Sequence, residues 1–149
     1  MKRTLITHTA KETEALGERI GARLRGGEVI ELVSDLGGGK TTFVRGLTRG
    51  FGSSDRVASP SFTLSREYAA GSRRIHHFDF YRLPDAGIMR SELAELIGDP
   101  ERVVVIEWAD VVRDVLPLER LSIKLAYQDD ESRQVTLDFS SAYEYLVED

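Results

Sequence analysis

The 149-residue sequence has no cysteine, no asparagine, three histidines and one tryptophan. Without cysteine there is no disulfide, no thiolate metal site and no cysteine nucleophile, a composition that fits a reducing compartment. Without asparagine, the N-K-x-D motif by which ordinary GTPases read guanine cannot form. No run approaches the roughly 18 apolar residues of a membrane-crossing helix. The N-terminus, MKRTLITHTAKETEAL, lacks the apolar stretch of about 7–15 residues that marks a signal peptide. A basic excess is missing too: 20 Lys plus Arg stand against 25 Asp plus Glu, a formal net charge of -5. Proteins that grip nucleic acid unaided usually carry the opposite balance. Direct binding of tRNA or DNA is therefore not expected, no membrane association is expected, and the expected location is cytoplasmic.

The length suits one domain spanning residues 1–149, large enough to bury a core without covalent staples. Thr9-Ala10-Lys11-Glu12 reads as a capping box: Thr9 accepts from a free first-turn amide and Glu12 reaches back to the amide of Thr9. Leu16, Ile20 and Leu24 follow at steps of four, predicting an amphipathic helix over 10–25 that ends at Gly26-Gly27. Val29–Val33 and Arg102–Glu107 are nearly continuous apolar runs, as expected of parallel strands buried on both faces. A helix from about Thr41 to Phe51 turns Phe43, Val44, Leu47 and Phe51 inward. Two hairpins are predicted, Phe62–Tyr68 with Arg73–Phe80, and Leu121–Tyr127 with Gln134–Phe139 around Asp129-Asp130. Helices are expected around Leu93–Ile97, before Pro117, and as a last turn over Ala142–Val147. The fold class that follows is α/β: a mixed sheet flanked by helices on both faces, P-loop NTPase-like because the strand Val29–Val33, a glycine cluster and a helix follow one another.

The strongest motif is Ser34-Asp35-Leu36-Gly37-Gly38-Gly39-Lys40-Thr41. It matches G-x-x-x-x-G-K-[ST], with Ser34 in place of the first glycine, and lies between a strand and a helix as phosphate binding requires. Glycines clear the way to a nest of backbone amides, and the helix N-terminus turns its positive end to the anion. Lys40 can reach the β- and γ-phosphates, and the Thr41 hydroxyl can ligate Mg²⁺. A carboxylate is also needed near the metal, at the end of a neighbouring strand. Glu107, after Val103–Ile106, and Asp79, in Ile75–Tyr81, are the candidates. His76 and His77 look like a metal pair, but neighbours in a strand point to opposite faces, so they are not expected to share an ion.

SDLGGGKTTFVRGL, VASPSFTLSREY, HHFDFYRL and VIEWAD, in that order, resemble the bacterial TsaE (YjeE) family. These are P-loop ATPases of the pathway that makes N6-threonylcarbamoyladenosine in certain tRNAs. The resemblance implies ATP and ADP as ligands with Mg²⁺, and catalytic roles for Lys40, Asp79 and Glu107. It implies phosphate contacts from Gly37, Gly38, Gly39, Lys40, Thr41 and Thr42, and metal ligation by Thr41, Asp79 and Glu107. Ser59–Thr63 would be a switch sensing the γ-phosphate, with Ser61 and Thr63 as contacts. His8 and Ala10 would lie near the adenine, and Arg133 would approach the nucleotide from the last hairpin. The implied partners are the TsaD and TsaB proteins, with any tRNA contact indirect, and the implied activity is a weak ATPase stimulated by them. The sequence departs from the family pattern at Ser34 for Gly, Gly38 for Ala, Ser61 for Thr, and Ala109-Asp110 after the tryptophan. Two other readings compete. A small-molecule P-loop kinase would need a lid, for which Leu83–Gly98 is the candidate. A non-enzymatic nucleotide sensor would follow from a phosphate loop degraded at Ser34.

Overall fold

The computed structural model describes residues 1–34, 39–58, 65–81 and 87–148, apart from the side chain of Ile88. Its strands are β1 (Lys2–Thr7), β2 (Val29–Ser34), β3 (Ser65–Ala70), β4 (Arg73–Asp79), β5 (Arg102–Glu107), β6 (Leu121–Tyr127) and β7 (Arg133–Phe139). Its α-helices are α1 (Ala10–Arg23), α2 (Lys40–Phe51), α3 (Ile88–Leu96) and α4 (Glu144–Val147), and 3-10 helices cover Ala109–Val115 and Ser141–Tyr143.

The strands form one mixed sheet in the order β1-β7-β6-β2-β5-β4-β3. β2 runs parallel to both β5 and β6, and β4 runs parallel to β5, while the β3–β4, β6–β7 and β1–β7 pairs are antiparallel. The two apolar runs thus lie centrally: Val29–Leu32 and Val103–Ile106 are buried on both faces, as their composition predicts, whereas Val33 is 41% exposed. Alternation divides β5 between two cores. Val103 and Val105 join Leu16, Ile20, Phe43 and Leu47 under α1 and α2, whereas Val104 and Ile106 join Leu93 and Val112 under α3 and the first 3-10 helix. Helices therefore cover both faces, as expected.

Backbone contact sets the position of α2 against α1. A Cβ built on Gly17 would lie 2.4 Å from the Phe43 carbonyl oxygen, and one on Gly21 would lie 2.1 Å from that of Leu47. Reciprocally, a Cβ on Gly46 would lie 1.9 Å from the Glu14 carbonyl oxygen, and one on Gly50 would lie 2.1 Å from that of Glu18. Four glycines, two on each helix, let the backbones touch. The first turn of α2 is held by that contact as well as by the sheet.

Several local details differ from the sequence reading. β1 was not anticipated: KRTLIT has only Leu5 and Ile6 as large apolar residues, because an edge strand pairs on one side alone. α1 stops at Arg23, since Leu24 is already extended at φ -65°, ψ 133°. Thr9 caps α1 by accepting from the Glu12 amide at 3.1 Å, but the Glu12 carboxylate accepts from the N–H of His8 at 3.2 Å, not from that of Thr9. The cap residue is extended (φ -140°, ψ 163°), and the amide before it is the one that faces the first turn. β4 ends at Asp79 rather than Phe80, β7 begins one residue earlier, at Arg133, and the Phe62–Leu64 part of the first hairpin lies outside the described residues. That hairpin closes through Gly71-Ser72, with Ala70 opposite Arg73 and Gly71 at φ 65°, a two-residue turn that glycine makes without strain.

Candidate nucleotide site

The C-terminal ends of β2, β5 and β4 lie side by side. Leu32 and Asp79 both stand opposite Glu107 in the register, so the two acidic strand ends are neighbours, with Ser34 closing β2 beyond Leu32. α2 starts beside them. Its N-cap, Gly39, takes a left-handed conformation (φ 99°, ψ 12°) that favours glycine, and its carbonyl accepts the Phe43 N–H at 3.0 Å. Lys40, Thr41 and Thr42 make the first turn, where unpaired amides and the helix dipole favour an anion. Gly37, Gly38, Ser61 and Thr63 lie outside the described residues.

Asp79 and Glu107 are only 5% and 4% exposed, so neither is a solvated strand-end acid. The Asp79 carboxylate accepts from the Tyr81 N–H at 2.9 Å. Glu107 uses both oxygens: Oε1 is 3.4 Å from the Lys40 ammonium, and Oε2 is 2.5 Å from Nε2 of His77. Burial pushes the Glu107 carboxyl up. The hydrogen bond from His77 and the attraction of His77 and Lys40 outweigh that, and the group titrates below its ordinary value.

Trp108 follows at φ 56°, ψ 57°, the one non-glycine residue with positive φ among those described. Left-handed backbone costs a non-glycine residue about 1–2 kcal/mol. The turn aims the indole at the site: the Lys40 ammonium lies 5.4 Å from its ring centre, the Tyr81 ring lies 4.9 Å away, and Trp108 is 37% exposed. Trp108 therefore belongs to the site and not to the core, and Tyr81 belongs beside it. Phe78 and Phe80, by contrast, are core residues. Ser34 has no positive φ, so serine carries no left-handed strain there.

On the other side of the α2 N-terminus, a cleft of about 180 Å³ is lined by Ala10, Thr13, Gly39, Thr42, Asp130, Glu131 and Arg133. The last hairpin thus brings Arg133 to Gly39, where its Nε would be 3.7 Å from an added Cβ. The guanidinium is oriented by the carbonyls of Asp129 and Ser132, at 2.8 and 2.9 Å. Ala10, Gly39, Thr42 and Arg133 are gathered from three distant parts of the chain. His8 does not line the cleft; it is exposed, one turn before it.

The two adjacent histidines part as strand geometry requires. His76 turns to Glu67, 3.4 Å away, and His77 turns to Glu107. The sequence reading missed the second contact. Its signal was parity: His77 and Asp79 are two residues apart in one strand, so they share a face, and that face also carries Glu107.

The Thr41 hydroxyl and the Asp79 and Glu107 carboxylates are hard oxygen donors of the kind Mg²⁺ takes. Among the described residues no three His, Cys, Asp or Glu side chains form a cage for an ion.

The family described as "Threonylcarbamoyl adenosine biosynthesis protein TsaE" matches residues 7–135. The chain belongs to the TsaE family. It is 35% identical to the tRNA threonylcarbamoyladenosine biosynthesis protein TsaE of Bacillus subtilis, over 96% of this chain and 90% of that protein. The corresponding TsaE of Nostoc is 36% identical over 85% of this chain and 80% of that protein. The crystal structure of Bacillus subtilis YdiB superposes with a TM-score of 0.82 at 32% identity, over 99% of this chain and 92% of that one. The mixed sheet flanked by helices is thus shared with a solved P-loop NTPase fold, and TsaE proteins serve the biosynthesis of a modified tRNA nucleoside. Three of the segments that carried the TsaE resemblance, those around Lys40, Asp79 and Glu107, meet at the C-terminal ends of β2, β5 and β4.

Proposed function

We propose that this TsaE-family chain binds ATP with Mg²⁺ and hydrolyses it slowly, acting on a TsaD–TsaB complex during N6-threonylcarbamoyladenosine formation on tRNA. The observation that carries the reading is the meeting of Lys40, on the first turn of α2, with Glu107, at the end of β5 beside Asp79. Lys40 would exchange its contact with Glu107 for the β- and γ-phosphates, while the amides of the first turn of α2 hold the same oxygens. Mg²⁺, when bound, supplies positive charge to the phosphates. Thr41, Asp79 and Glu107 would hold it, and the two carboxylates would also orient water at the γ-phosphate. The Ala10–Thr42–Arg133 cleft would take the nucleoside, with any tRNA contact indirect through the partners. Low turnover is expected of the chain alone, because a bound nucleotide left exposed to water is poorly organised for transfer.

The test is ATP hydrolysis by the chain alone and with TsaD and TsaB. Turnover far below about 10 s⁻¹, the median of enzymes, is expected alone, with a rise on adding partners. Asp79→Ala and Glu107→Ala should each abolish most of that rise. Fast turnover without partners, or unimpaired variants, would overturn the reading. Against the kinase alternative stands α3, within the described residues 87–98 of its candidate lid, which buries Leu93 completely in the core under the sheet.

A further inference from the structure

His77 is 1% exposed, sits on β4 between β5 and the edge strand β3, and touches the acid that faces the phosphate-binding lysine. An ionised carboxylate only accepts hydrogen bonds, so the nitrogen facing it, Nε2, carries the proton. The ring has little freedom. β4 places His77 opposite Val105, two residues before Asp79 opposite Glu107, and the Tyr68 ring of β3 packs 6.2 Å away at a tilt of 46°. Nδ1 is buried with no hydrogen-bond partner among the described residues.

We propose that His77 is a positioning residue for Glu107: it occupies Oε2, so that Oε1 alone faces Lys40 and the phosphate site. This rests on the ATPase reading above. The consequence lies in Lys40. With Oε2 held, the Lys40–Glu107 contact stays single and long, at 3.4 Å, a contact that phosphate can displace. Without the His77 donor, both carboxylate oxygens turn to the ammonium. Lys40 is then tied up, and Glu107 is no longer aimed at metal and water.

Two isosteric substitutions separate this role from simple core filling. Gln carries its amide nitrogen near the position of Nε2 and can still donate to Glu107. Asn carries its nitrogen near Nδ1, where no acceptor waits. The experiment uses the full chain as wild type, His77→Gln and His77→Asn. Each is titrated with Mn²⁺ in the presence of ADP by calorimetry, and assayed with TsaD and TsaB for the Mg²⁺ dependence of ATP hydrolysis. Loss of an outer-shell partner typically costs about 10–100-fold in metal affinity or activity, so that loss is expected for His77→Asn, and His77→Gln should stay within about threefold of wild type. In ¹⁵N-labelled protein, a downfield His77 Nε2–H resonance should be present in wild type and absent in Glu107→Ala. Equal behaviour of the Asn and Gln variants, whether both intact or both impaired, overturns the assignment, as does a missing resonance in wild type. A wild type that neither binds ADP nor hydrolyses ATP overturns the ATPase reading instead.

Discussion

Lys40 and Glu107 lie 3.4 Å apart although one opens α2 and the other ends β5, and their side chains are only 11% and 6% exposed. A buried ion pair of this kind is weak evidence for stability, because removing two charges from water offsets most of their attraction. Its value lies in what it holds ready: an ammonium at a helix N-terminus, kept in place by a contact that a phosphate can replace.

Lys40→Ala should therefore weaken ADP binding more than any change at Ser34. Removing the ammonium deletes a charge-assisted contact to phosphate. Ser34 ends β2 without a left-handed backbone, so Ser34→Gly relieves no such strain and should shift ADP affinity by no more than about tenfold, or roughly 1.4 kcal/mol. Calorimetric titration of the three proteins measures the order. Absent binding in the native chain, restored by Ser34→Gly, would favour the non-enzymatic reading.

Trp108 is the single tryptophan of the chain, and Lys40 sits 5.4 Å from its ring centre. Moving that ammonium to a phosphate changes the charge over the indole. Addition of Mg·ADP should accordingly alter the tryptophan emission, read in a fluorescence titration. An unchanged spectrum with binding shown by calorimetry would place the nucleotide away from Trp108.

Gly46→Ala tests the α1–α2 contact. Helix propensity alone would favour alanine by about 1 kcal/mol, but the new Cβ would lie 1.9 Å from a backbone oxygen of α1. Overpacking costs about 1–3 kcal/mol, and here the helices must part, so net destabilisation is expected. Urea unfolding would show a lower midpoint. Because α2 carries Lys40, ADP affinity should fall as well.

His76 gives a pH dependence of known sign. Burial lowers its pKa, opposed by the nearby Glu67 carboxylate and aided by the Arg102 charge, with Glu92 opposing and Arg74 aiding further. The unfolded chain takes up this proton near pH 6.5, whereas the folded protein resists it to lower pH. The contribution to stability is thus complete above about 6.5 and is lost as pH falls through the folded value. His76→Gln should flatten the stability–pH curve in that window, measured as the difference from wild type in denaturant midpoints between about pH 7.5 and 5.

Features carried by short-range pattern were legible in the sequence. Val29–Val33 and Arg102–Glu107 read as strands buried on both faces because their apolar residues occupy consecutive positions, with Glu31 the single polar residue inside the first run. Thr9 read as a helix cap, and the glycine run before Lys40-Thr41 read as the entry to a second helix, because those residue types at that spacing satisfy a helix start. The capping contact of Glu12, by contrast, turned on one backbone angle at Thr9, and β1 was hidden because an edge strand needs little apolar sequence. The rest depended on which strands became neighbours. Glu107 meets Lys40 and His77 only because β5 inserts between β2 and β4 in a register that sets Asp79 opposite it. Arg133 reaches Gly39 only because β7 folds back beside β6. Periodicity along a chain encodes which face a side chain takes. Contacts between residues some 30 to 90 positions apart are decided by strand order and register, which form only when the two cores close around the sheet.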